Sequence, residues 1–109
     1  MDIFRAVAEP NRRIMLDMLI KRERAAGEFE DVLPTLTQPA VSRHLRVLRD
    51  AGLVAVHARA QQRIYSLRPE RLAEVDQWVA KYRLFWETKL DALTNHLAAQ
   101  SKAKKRRRR

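Results

Sequence analysis

The residues with the most chemical content lie between Thr37 and Val54, in the stretch TQPAVSRHLRVLRDAGLV. A hydroxyl residue opens it, three arginines follow, and one of only two glycines in the chain closes it. Glutamine, serine and arginine at helical spacing suit the edges of base pairs. Glutamine pairs with adenine, arginine takes guanine with two parallel bonds, and serine serves a base or a phosphate. Wound as a helix, Val41, Leu45 and Leu48 cluster on one side with Ala51 at its edge, while Gln38, Pro39, Ser42, Arg43, Arg46 and Arg49 spread over the other. Thr37 is placed to cap the helix, and it and the free N–H groups behind it suit phosphate oxygens. Asp50 is the helix's only acidic residue. Its one histidine, His44, lies near the apolar edge, where a packed or phosphate-facing role is expected.

Such a helix needs elements to hold it. DIFRAVAE predicts a first helix with Asp2 as cap and Ile3, Phe4, Val7 and Ala8 on one face. A second helix starts at Pro10 and repeats Ile14, Met15, Met18 and Leu19. A shorter third helix follows Gly27 and is ended by Pro34, and PTL forms a tight turn before Thr37. A helix, a tight turn and a short basic helix make a helix-turn-helix, whose second helix enters the major groove. Gly52 sits where a left-handed helix end is wanted. Val54 and Val56, then Ile64, Tyr65 and Leu67, predict two short strands. Their turn lacks Gly, Asn and Asp, so a loop longer than two residues is expected. This hairpin would be a wing over residues 57–64, with Arg59, Gln62 and Arg63 at its tip for the minor groove or backbone.

From Pro69 onward there is no glycine or proline. Leu72, Val75, Val79, Tyr82, Trp86, Leu90, Leu93 and Leu97 step by three or four, which predicts one amphipathic helix of ~30 residues, or ~45 Å. A domain this small cannot cover that length, so a second copy is expected on the stripe. The fold class is therefore mainly α with a small β-hairpin: a winged helix-turn-helix with a long C-terminal dimerisation helix. Residues 1–100 form one domain, and residues 101–109 a disordered basic tail.

Composition narrows the function. The net charge is +10, which points to an anionic partner, double-stranded DNA first. Seven basic residues lie in the tail SKAKKRRRR, and without them the charge falls from +10 to +3, so the body is judged by its own arrangement. There is no cysteine, no apolar run of membrane length, and no basic-then-apolar leader, which reads as a cytoplasmic chain without a membrane partner. No glycine-rich phosphate loop, carboxylate pair or activated nucleophile is visible, so an enzyme and a cofactor are not expected. Asp91 and His96 are five apart on different helix faces and His57 stands alone, so no metal site is expected either. The alternative to a DNA reader is a winged-helix module that docks proteins through its last helix and tail.

The stretch TQPAVSRHLRVLRDAGLV resembles the recognition-helix signature of ArsR-type winged helix-turn-helix repressors. AVAEPNRRIMLDML resembles their N-terminal helix junction, RIYSL their second wing strand, and VAKYRLFWETKLDAL the aromatic last helix of a subgroup that lacks metal sites. The resemblance spans roughly residues 3–98. It implies a homodimer whose first and last helices form the interface, here Phe4, Val7, Val79, Tyr82, Trp86, Leu90, Leu93 and Leu97. It implies binding to an inverted repeat near a promoter, often the protein's own, with Gln38, Pro39, Ser42 and Arg43 on DNA. The small-molecule effector stays unnamed. The chain departs from the family pattern in lacking a glycine wing turn, and its link between the third and fourth helices is about one residue longer.

Overall fold

The computed structural model describes residues 2–108, with side chains for residues 2–104. The chain divides into two compact units, Met1–Val75 and Asp76–Arg109. The first holds α1 (Ile3–Ala8), α2 (Pro10–Lys21), β1 (Arg24–Ala25), α3 (Ala26–Val32), α4 (Gln38–Asp50), β2 (Val54–Arg59) and β3 (Gln62–Leu67). A single 3-10 turn, Pro69–Arg71, leads into α5 (Leu72–Arg108).

With six residues, α1 is too short to satisfy its own backbone. Asp2 accepts the Phe4 N–H at 3.0 Å. The last four carbonyls are all taken by two neighbouring arginines of α2. Arg12 donates from Nε to Ala6 O at 2.7 Å and from Nη2 to Arg5 O at 3.2 Å. Arg13 Nη1 donates to Val7 O at 3.0 Å and Ala8 O at 2.8 Å. Glu9 caps α2 by accepting the Arg12 N–H at 3.0 Å, and Pro10 occupies the first turn, where its missing N–H costs nothing.

The core of the unit gathers Ile3, Met15, Phe29, Val41, Leu48 and Leu53, all less than 2 % exposed. On α2 the buried set is Met15, Leu16, Met18 and Leu19, whereas Ile14, expected inside, is 39 % exposed. Spacing alone admits either residue, and the packing selects Leu16. Tyr65 stands edge-on to Phe29 with ring centres 5.9 Å apart.

Two features of the sheet differ from expectation. It has three strands in the order β1-β3-β2, all antiparallel. The added strand, β1, pairs Arg24 with Tyr65 and Ala25 with Ile64; two residues are too few for periodicity to register. The hairpin is also tighter than its composition suggests. Arg59 pairs with Gln62, which leaves only Ala60 and Gln61 in the turn, and Ala60 takes φ +56°. Six residue pairs, from Val54–Leu67 to Arg59–Gln62, hold the register and over-determine the turn, so an alanine is forced into a left-handed conformation that glycine would adopt freely.

α3 begins at Ala26, one residue before Gly27. Glu28 accepts the Ala25 N–H at 2.7 Å and is gripped by Arg22, with Arg24 at 3.7 Å. The Arg22 hydrogen bond first, then the Ala25 N–H, hold its carboxyl below the usual range. The helix ends at Val32, because Pro34 bars helical geometry at Leu33.

The second unit is α5 alone. No helix among the described residues is long and apolar enough to cross a membrane. Tyr82, Phe85, Trp86, Leu90, Leu93 and Leu97 are 47–61 % exposed. Trp78 and Tyr82 meet with ring planes tilted by 57° and centres 5.1 Å apart, and Lys89 Nζ sits 5.4 Å from the Phe85 ring centre. Helical backbone continues through Arg108 into the segment expected as a disordered tail, with no glycine or proline to interrupt it.

Candidate nucleic-acid interface

α4 is fixed by its inner face and by both ends. Val41, Leu45 and Leu48 are buried, and the helix packs on α2, α3 and β2. Thr37 Oγ1 accepts the Ala40 N–H at 3.2 Å, the cap its sequence predicts. At the other end Leu53 N–H reaches Leu48 O at 2.9 Å and Gly52 N–H reaches Arg49 O at 2.9 Å, a Schellman closure with Gly52 at φ +77°. Arg71 Nη1 donates to Ala51 O at 2.8 Å and completes the cap.

This frame leaves Gln38, Pro39, Ser42, Arg43, Arg46 and Arg49 exposed on the outer face. What separates the arginines of that face from six others is what they hold. Arg12, Arg13, Arg22, Arg24, Arg59 and Arg71 each donate to a carbonyl, a carboxylate or a ring nitrogen. Among the described residues, Arg43, Arg46, Arg49 and Arg63 have no hydrogen-bond or ion-pair partner. A guanidinium offers five donors and is always charged. Several of them left open on one face make a site that gains from an anion with many acceptor oxygens.

Three of these arginines converge. Ser42, Leu45, Arg46, Arg49 and Asp50 of α4, with Arg63 and Tyr65 of β3, line an open cleft of about 580 Å³. Arg63 is thus brought beside the helix, as a wing residue should be. Thr37, Gln38, Pro39 and Arg43 lie on α4 or its cap outside the cleft. Arg59 points to another task, since its Nη2 is 3.4 Å from Glu23 Oε2, in an exposed pair worth little in water. Gln62 is exposed on the strand next to the turn.

One part of the site has no signal in the sequence. His44, half-buried on α4, has Nδ1 3.1 Å from Arg12 Nη1 and 3.8 Å from Glu9 Oε2. The pair NRR at 11–13 reads as ordinary surface charge, and only the fold brings Arg12 to a residue 32 positions away. Of the expected interface residues, Phe4, Tyr82, Trp86, Leu90, Leu93 and Leu97 are exposed, and Val7 and Val79 are half-buried. Among the described residues no group of three or more His, Asp and Glu is placed to hold a metal ion. His57 is exposed, and His96 Nε2 is 3.0 Å from Gln100 Nε2.

A capped basic helix, presented by a helix and turn and flanked by a β-hairpin, defines a winged helix-turn-helix DNA-binding domain. Residues 7–57 match the profile of a family described as a helix-turn-helix domain. The chain is similar to two solved structures. One is an ArsR family transcriptional regulator, with TM-score 0.68 and 28 % identity over 78 % of this chain and 87 % of that one. The other is described as a "Possible transcriptional regulator for arsenical resistance", with TM-score 0.67 and 34 % identity over 86 % of this chain and 94 % of that one. The chain belongs to the ArsR family of transcriptional regulators. It is also 28 % identical to the transcriptional repressor SdpR of Bacillus subtilis, over 74 % of this chain and 89 % of that protein. These relatives are transcriptional regulators and not enzymes.

Proposed function

We propose that the protein is a homodimeric transcriptional repressor that reads an inverted DNA repeat, including one at its own promoter. The observation that carries this reading is the set of open guanidiniums on and beside α4, in contrast to Arg12, Arg13, Arg22, Arg24 and Arg71, which are engaged by the fold. Gln38, Ser42 and Arg43, on the N-terminal half of α4, face the base edges. Arg46, Arg49 and Arg63 straddle the cleft between helix and wing and meet phosphates or the outer bases. Thr37 and Pro39 set the approach of the helix start to the backbone. Gln62 and Arg59 stand behind them, and Arg59 must first leave Glu23.

The second copy is argued from α5. A 37-residue helix extends ~55 Å, and its aromatic and leucine stripe is exposed. An apolar stripe of that length favours a like surface, and a twofold pairing of copies through α5 and through Phe4 and Val7 of α1 gives one operator two copies of α4. Recognition helices ~34 Å apart then meet successive major grooves.

Selection of bound duplexes from random DNA by the pure protein tests this in one step. The expected product is a twofold-symmetric sequence with half-sites one helical turn apart, protected in a footprint. Equal competition by random DNA, with no symmetric product, rejects it in favour of a protein-docking module. Sedimentation of a monomer at micromolar concentration rejects the dimer.

A further inference from the structure

Arg12 does more than cap α1. Its Nη1 lies 3.1 Å from Nδ1 of His44, whose side chain is 18 % exposed. Arginine only donates, so in this contact Nδ1 of His44 is the acceptor. Glu9 Oε2, 3.8 Å from the same Nδ1, already accepts the backbone N–H of Arg12. Of the elements packed on α4, only the start of α2 brings charged groups to His44, namely Glu9 and Arg12. Among the described residues, α3 and β2 bring none within hydrogen-bond or ion-pair distance.

The other inward contacts of α4 are made by Val41, Leu45 and Leu48. Apolar packing sets how deep a helix sits but is not directional. Among the described residues, the Arg12–His44 bond is the one side-chain hydrogen bond from within α4 to another helix. Atoms at the ~5–6 Å radius of a helix move ~1 Å for a rotation of roughly 10°, enough to spoil a bidentate bond to a base.

We propose that Arg12 is the positioning residue of α4, setting its rotation through His44 and thereby the register of Gln38, Ser42 and Arg43 on DNA. The same guanidinium holds the α1 carbonyls, so the first helix and the DNA-reading helix share one anchor. The proposal rests on the DNA reading above and deepens it.

The test compares binding to the duplex selected by the wild-type protein with binding to a random duplex of equal length. Affinities are measured at one fixed salt and pH. The wild-type preference is expected to fall about tenfold in Arg12→Ala, in line with loss of a hydrogen bond to a charged group. His44→Asn, which keeps an acceptor near Nδ1, should retain most of the preference. His44→Leu, which keeps none, should lose it as Arg12→Ala does, with Arg12→Lys between wild type and Arg12→Ala. A His44→Leu preference equal to that of wild type overturns the proposal, and this variant decides alone if Arg12→Ala does not fold. Imidazole ¹⁵N spectra of the free protein add a readout without DNA. The Nδ1 resonance of His44 should shift in Arg12→Ala, and an indifferent His44 also overturns the proposal. A wild-type protein with no preference between the duplexes instead rejects the DNA reading, while the spectra still report on the contact.

Discussion

The start of α2 and the outer face of α4 use the same side chain in opposite ways. Arg12 and Arg13 reach four carbonyls and a histidine, and between them they finish a helix too short to close itself. Among the described residues Arg46 and Arg49 have no hydrogen-bond or ion-pair partner, and they face a cleft they share with Arg63. Arginine number and net charge would rank these regions alike. What distinguishes a structural guanidinium from one poised for a ligand is whether the fold has already supplied its acceptors.

The strongest challenge to this contrast is to remove the support beneath α4. Leu48→Ala should cost about 2–5 kcal/mol in urea unfolding, because Leu48 is fully buried and its loss leaves a cavity. A small loss would mean that α4 is not anchored by its inner face. Exchanging the two arginine classes comes next. Arg12→Ala should destabilise by about 1–2 kcal/mol, since three hydrogen bonds to part-buried or exposed acceptors are lost. Arg46→Ala should leave stability within about 0.5 kcal/mol but weaken binding to the selected duplex by about 1–3 kcal/mol. Equal stability losses in the two variants would erase the distinction.

Smaller effects sharpen it within the wing. Ala60→Gly should stabilise by about 0.5–1 kcal/mol in thermal melts, since a left-handed alanine is replaced by the residue that takes this φ without strain. Arg63→Ala should weaken DNA binding more than Arg59→Ala, whose effect on stability should be under about 0.5 kcal/mol. The smallest change concerns Glu28. Its carboxyl is held below the ordinary range, so its contribution is present above the unfolded-state value and lost as pH falls through the folded-state value. Glu28→Gln should therefore lower stability slightly at neutral pH, flatten the acid limb of a stability-versus-pH curve, and converge on the wild-type curve at low pH.

The parts legible in the sequence are those with local causes. Thr37, Pro39 and the Val41–Leu45–Leu48 spacing define α4 because capping and periodicity act within a few residues. Gly52 marks its end for the same reason. The parts that escaped have partners far along the chain. β1 exists because β3 offers a free edge, the two-residue wing turn exists because the ladder forces it, and Leu16 displaces Ile14 because of what packs above it. Within the site, the outer face of α4 follows from its own stretch of sequence. The union of Arg63 with Arg46 and Arg49, the diversion of Arg59 to Glu23 and the bond from Arg12 to His44 all depend on the tertiary fold.

The joint at Gly52 has a consequence for how this chain can change. A Cβ there would lie 2.9 Å from Cδ of Arg71, and the backbone is left-handed besides. Two independent obstacles therefore guard one position. Shortening residue 71 clears the space but forfeits the donor to Ala51, and a left-handed side chain remains strained. A change at either position therefore carries a cost that a change at the other does not remove, so a randomised library covering both should be enriched in Gly52 together with Arg71.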